Sequence, residues 1–97
     1  MGRIQGLSEK FISGDTLVKT GPGYLFSIEL AWSGAAAGQS CHIYDGVVTG
    51  TTPLVPIILN AATGTLQLKW ENGKEYITGL FVDMQGSGQI QASLQYR

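Results

Sequence analysis

Over residues 24–32 the chain alternates: Tyr24, Phe26, Ile28, Leu30 and Trp32 are large and apolar, and Leu25, Ser27, Glu29 and Ala31 stand between them. A period of two sends successive side chains to opposite faces of an extended strand, so one face of this segment is expected in a core. Residues 89–96 repeat the logic, with Ile90, Ala92, Leu94 and Tyr96 against Gln89, Gln91, Ser93 and Gln95. Two half-buried strands of this kind need a second apolar layer to cover them, which sets the chain among the all-β folds.

The rest of the chain divides in the same way. Runs at 11–12, 16–20, 41–45, 54–59, 66–71 and 75–84 are bounded by Gly, Asn, Thr or Pro, which gives seven to eight short strands. Asn72 and Gly73 fall between two runs and accept positive φ, so they predict a two-residue hairpin turn. Gly21, Pro22 and Gly23 predict a type II turn, with φ preset at Pro22 and free at Gly23. Both turns would join hairpin-paired antiparallel strands. Pro53 and Pro56 remove ladder donors around residues 54–59, which predicts an edge or bulged strand there. Ala35 to Ala37, flanked by Gly34 and Gly38, reads as a loop.

The expected architecture is an antiparallel β-sandwich of seven to eight strands with jelly-roll-like topology; an immunoglobulin-like Greek key is the second choice. Residues 1–97 read as one sandwich domain, with residues 1–10 as a candidate N-terminal arm. Phe26, Ile28, Leu30, Leu68, Val82, Ile90, Ala92 and Leu94 are its expected core. Trp32 and Trp70 share strand faces with Leu or Ile and are expected to pack on that core.

Charge restricts the partners. Charged residues make up 13% of the chain, about half of the usual quarter, and six basic against seven acidic residues leave a net charge of -1. There is no cationic excess to neutralise phosphates, which argues against nucleic acid as a partner. No apolar run approaches the roughly 20 residues of a membrane span, so no membrane crossing is expected. Residues 1–10 have no apolar h-region, and synthesis in a cytoplasm is expected. Ser, Thr, Gln, Asn and Gly must therefore cover much of the surface, and such groups are less costly than Lys or Glu to desolvate against a partner.

The residues that could carry chemistry are few. Cys41 is the only cysteine and His42 the only histidine. Neighbours on a strand face opposite ways, so they cannot form a Cys-His dyad, and together they cannot supply the ligands of a zinc site. Cys41 is expected in the core and His42 on the strand surface. Among the carboxylates, Asp45 before Gly46 and Glu71 before Asn72 read as turn residues. Pro22 removes an amide donor from the Gly21 to Gly23 segment, which therefore is no phosphate cradle. Neither an enzyme nor a cofactor is expected.

The stretch Val18-Lys19-Thr20-Gly21-Pro22-Gly23-Tyr24-Leu25, followed by Ile43-Tyr44-Asp45-Gly46, Gly79-Leu80-Phe81-Val82-Asp83 and Leu94-Gln95-Tyr96-Arg97, resembles small proteins encoded among the structural genes of tailed bacteriophages. The likeness spans residues 16–97. It implies a β-sandwich that decorates or cements a capsid or forms part of a fibre, located in the virion. The partner would be the major capsid protein or another virion protein, and the function would be to bind the outer capsid surface and stabilise the shell. The alternative is a receptor- or carbohydrate-binding module of a phage fibre or tail. A sandwich with so few charges is also expected to self-associate, as a homotrimer. The residues expected at contacts are Arg3, Ile4 and Leu7, in an arm ordered against a neighbouring subunit, and Tyr76 and Phe81 as aromatic anchors.

Overall fold

The computed structural model describes residues 7–34, 39–59, 61–85 and 89–97. They form seven strands: β1 (Ser8–Ile12), β2 (Thr16–Thr20), β3 (Gly23–Ser33), β4 (Ser40–Asp45), β5 (Gly64–Tyr76), β6 (Gly79–Gln85) and β7 (Gln89–Tyr96). One sheet has the order β1-β7-β3-β5 and the other β2-β6-β4, and every ladder is antiparallel.

The chain changes sheet at nearly every connection. The exception follows β4, where the chain returns along that strand's edge with bridges between Ile43 and Val55 and between Ser40 and Ile58. This segment takes the fourth place in the second sheet, and the result is a β-sandwich with jelly-roll strand order. An immunoglobulin-like arrangement would keep the first two strands in one sheet, whereas β1 and β2 lie in different ones.

The edge position of that segment has a local cause. Cys41 N–H donates to the Ile57 carbonyl at 3.0 Å, and Ile43 and Val55 exchange both backbone bonds at 3.0 and 3.1 Å. Pro56 has no amide hydrogen, and Ile57 N–H donates to His42 Nδ1 at 3.1 Å. Val55, Ile57 and Leu59 still point inward and belong to the core.

The core lies between the sheets. Leu25, Ile28, Leu30, Ile90, Ala92 and Leu94 come from the four-stranded sheet, and Cys41, Ile43, Leu80 and Val82 from the other. Six of the eight expected core residues are therefore buried, while Phe26 and Leu68 are only half-buried. A bulge at Leu25/Ser27 disturbs both ladders of β3 and accounts for Phe26. Leu25 faces the core, Phe26 does not, and the expected alternation resumes at Ile28. Trp32 and Trp70 are half-buried against the core, as their strand faces require.

Both expected turns take other forms. Residues 64–76 are a single strand, since Lys69 pairs with Ser27 and Lys74 with Leu25, both on β3. Between them Trp70 still packs on the core, while Glu71, Asn72 and Gly73 form an excursion of an edge strand and not a hairpin; Gly73 supplies the positive φ of 84°. At the other site the positive φ falls on Gly21, at 85°, and not on Gly23. This turn joins β2 and β3 across the two sheets, so no hairpin pairing follows it. Gly23 is needed for another reason, because a Cβ there would collide with the Arg97 carbonyl and the Tyr76 ring. Ala35 to Ala37 lie outside the described residues.

Candidate functional site

Of the five expected contact residues, Arg3 and Ile4 lie outside the described residues. Residues 8–10, expected in the arm, instead open β1. Leu7 is buried beside Phe26 and Trp70 of its own chain, which removes it as an anchor for a neighbouring subunit. Tyr76 is also corrected: it is fully buried, and its hydroxyl donates to the Arg97 carbonyl at 3.1 Å. Its ring thus fixes the end of the C-terminal strand. Phe81 is half-buried, opposite Leu17 of β2 and Tyr44 of β4.

Cys41 lies in the core, where burial first, then the charges of Asp83 and Asp15, push its thiol up to about 12. The thiolate needed for nucleophilic attack is therefore suppressed at neutral pH. His42 is half-buried and accepts from Ile57 through Nδ1, which requires that nitrogen to be unprotonated. Among the described residues, no three of His, Cys, Asp and Glu gather closely enough to hold a metal ion.

Two surfaces stand out. The first is the end of the sandwich where the loop after β4 meets the β5–β6 turn. Asp45 accepts backbone hydrogen bonds from Ile77 at 2.9 Å, from Thr78 at 2.8 Å and from Gly79 at 3.3 Å. Burial by itself would raise the Asp45 pKa, but the Thr78, Ile77 and Gly79 amides outweigh it and hold the carboxyl below its ordinary value. Gly46 N–H donates to the Gly79 carbonyl at 3.1 Å, and Gly21 N–H to that of Thr78 at 2.8 Å. These bonds bring three loops together and present Val47, Val48 and Ile77, of which Val48 is 65% and Ile77 67% exposed. Asp45, expected as a turn residue, is the last residue of β4 and braces the β5–β6 turn through its carboxylate, and Glu71, expected in a turn, lies within β5.

The second surface is the outer face of the four-stranded sheet. The registers align its side chains in rows across the strands. Phe11, Ser93, Glu29 and Gln67 make one row, from β1 through β7 and β3 to β5. Glu9, Gln95, Ser27 and Lys69 make the next, and Gln91, Ala31 and Thr65 lie on the other side. Ser27, Ala31 and Ser93 are short and leave a shallow trough along the middle of the sheet, flanked by Phe11 and Gln67. Gln67 Nε2 donates to Glu29 Oε2 at 3.0 Å, and Ser27 Oγ to Gln95 Oε1 at 3.2 Å.

The sequence indicates the polar half of this face, since Gln89, Gln91, Ser93 and Gln95 alternate with core residues. The rows depend on strand order and register, and Phe11 gains its place beside Ser93 only when β1 pairs with β7. Comparison with protein-family models, with curated protein sequences and with solved structures finds no match for this chain.

Proposed function

We propose that this chain is a non-enzymatic structural protein of a tailed-bacteriophage virion, a decoration or cement protein that binds the outer capsid surface and stabilises the shell. The carrying observation is the end of the sandwich that displays Val47, Val48 and Ile77 from two loops clamped by Asp45. Exposed branched aliphatics grouped on a rigid base suit burial against a protein partner, because little ordering entropy remains to be lost when they dock. The resemblance over residues 16–97 and the low charge content support the same reading. The partner is the major capsid protein or another virion protein, and several copies, as a homotrimer, would meet at a capsid symmetry axis. A protein that binds only the assembled lattice stabilises it by mass action and needs no reaction chemistry.

The test is to add the protein to particles that lack it. It should bind saturably and raise the temperature at which the shells disrupt. Val48→Asp and Ile77→Asp, at exposed positions, should leave the circular dichroism spectrum unchanged and abolish binding. Variants that bind like the parent would remove this end of the molecule from the contact, and failure of the parent to bind would overturn the capsid reading.

A further inference from the structure

The trough on the four-stranded sheet lies on a face, away from the loops that carry Val47, Val48 and Ile77, and it has a chemistry of its own. We propose that it is a binding site for a neutral oligosaccharide, seated over Ser93, Glu29 and Ala31, with Phe11 against the apolar side of one sugar ring and Gln67 and Gln91 hydrogen-bonding its hydroxyls. The inference does not depend on where the protein is mounted.

Three observations carry it. The first is shape. The part of the trough around Phe11, Glu29, Ala31, Gln67, Gln91 and Ser93 is an open groove of about 450 Å³, within the volume range of small-ligand sites. It continues past Ser27 and Gln95 through the shared residues Glu29, Gln67 and Ser93. From Ala31 to Ser27 the strand rises about 13 Å, which accommodates a short chain of sugars better than a single ring.

The second is the kind of polar group present. Side-chain amides each offer two N–H donors and a carbonyl acceptor, which matches the mixed donor and acceptor character of a sugar hydroxyl pair. The bond from Gln67 to Glu29 holds both side chains in place before any ligand arrives, so less freedom is lost on binding. Phe11, 67% exposed, adds a flat apolar surface beside these groups. An aromatic ring flanked by polar side chains suits a ligand that has a C–H face and a hydroxyl rim.

The third is charge. Among the described residues, the trough holds Glu9 and Glu29 against Lys69, and no arginine lines it. It thus has no cationic field to attract sulfated or carboxylated glycans. Because the trough is open and shallow, binding should be weak, with a Kd of about 1 mM.

The test is a titration of the ¹⁵N-labelled full chain, followed by amide chemical shifts, with maltohexaose, cellohexaose, laminarihexaose, mannohexaose and chitohexaose, and with a heparin hexasaccharide as the anionic comparison. At least one neutral hexasaccharide should shift the amides of Glu29, Ala31, Gln67, Gln91 and Ser93. Phe11→Ala and Gln67→Ala should keep the dispersed spectrum of the folded protein and weaken that binding about tenfold or more. The proposal is overturned if no neutral hexasaccharide shifts these amides at about 10 mM. It is equally overturned if the shifts map to another surface, if both variants bind like the parent, or if only the heparin fragment binds. None of these outcomes bears on capsid binding through Val48 and Ile77.

Discussion

Leu25 and Phe26 exchange the roles that simple alternation assigns to them, and truncating each to alanine tests the bulge that causes the exchange. Leu25 is fully buried between the sheets, so Leu25→Ala removes buried methyl and methylene groups and leaves a cavity, at a cost of about 2 to 5 kcal/mol. Phe26 is only half-buried, and its ring lies 5.6 Å from the Arg97 guanidinium and 6.4 Å from the Tyr24 ring. Losing partial burial and one exposed cation–π contact should cost about 1 to 2 kcal/mol. Small domains have only about 5 to 15 kcal/mol in total, so Leu25→Ala alone should lower the melting temperature by about 10 °C or more. Urea titration, with equal m-values in the parent and both variants, gives the comparison directly. If Phe26→Ala costs as much as Leu25→Ala, the alternation runs unbroken through β3, and the bulge and everything placed by it are wrong.

Two further predictions concern single groups. Asp45 is held below its ordinary pKa in the folded chain, so its contribution to stability is present above the unfolded value of about 4 and is lost as pH falls through the folded value. Asp45→Asn should therefore flatten the fall in urea midpoint between about pH 5 and pH 2, and an unchanged acid limb would refute the role given to the carboxylate. The Cys41 thiol, buried and pushed up to about 12, should react with an aromatic disulfide at pH 8 only as fast as the protein unfolds. Rapid labelling of the native protein would contradict its burial.

Where the sequence succeeded, local pattern and tertiary environment agree. β7 keeps a strict alternation because it has a neighbour on each side and one face entirely in the core: Ile90, Ala92 and Leu94 are buried, and Gln91, Ser93 and Gln95 face outward. Pro53 and Pro56 correctly marked an edge, since a missing amide hydrogen limits pairing wherever the segment packs. Where it failed, pairing between distant segments decided the outcome. The bulge in β3 arises from its registers with β5 and β7 together, and no single window of sequence contains both. Gly73 does take positive φ, but that requirement is common to a hairpin turn and to an excursion in an edge strand, and only the shared partner β3 distinguishes them. Tyr76 has the parity of the inward-facing Leu66 and Leu68, but the excursion interrupts the alternation before it, so its burial is fixed by the renewed pairing with β3.

The candidate surfaces were legible in part. A polar face on β7 follows from composition and period, but the trough needs β1 to carry Phe11 to one side of Ser93 and β3 to set Glu29 on the other. Val47 and Ile77 are thirty residues apart along the chain. They share one end of the sandwich because Asp45 binds the Ile77 and Thr78 amides and Gly46 binds Gly79, contacts that neither loop discloses alone.

Quantitative mass spectrometry of purified virions tests the central functional claim most directly. A protein that coats the outer capsid should be present in a fixed ratio to the major capsid subunit, with a copy number that follows the lattice, and it should be lost when Val48→Asp and Ile77→Asp replace the parent residues. A few copies per particle that purify with isolated tails, or none at all, would contradict the decoration role.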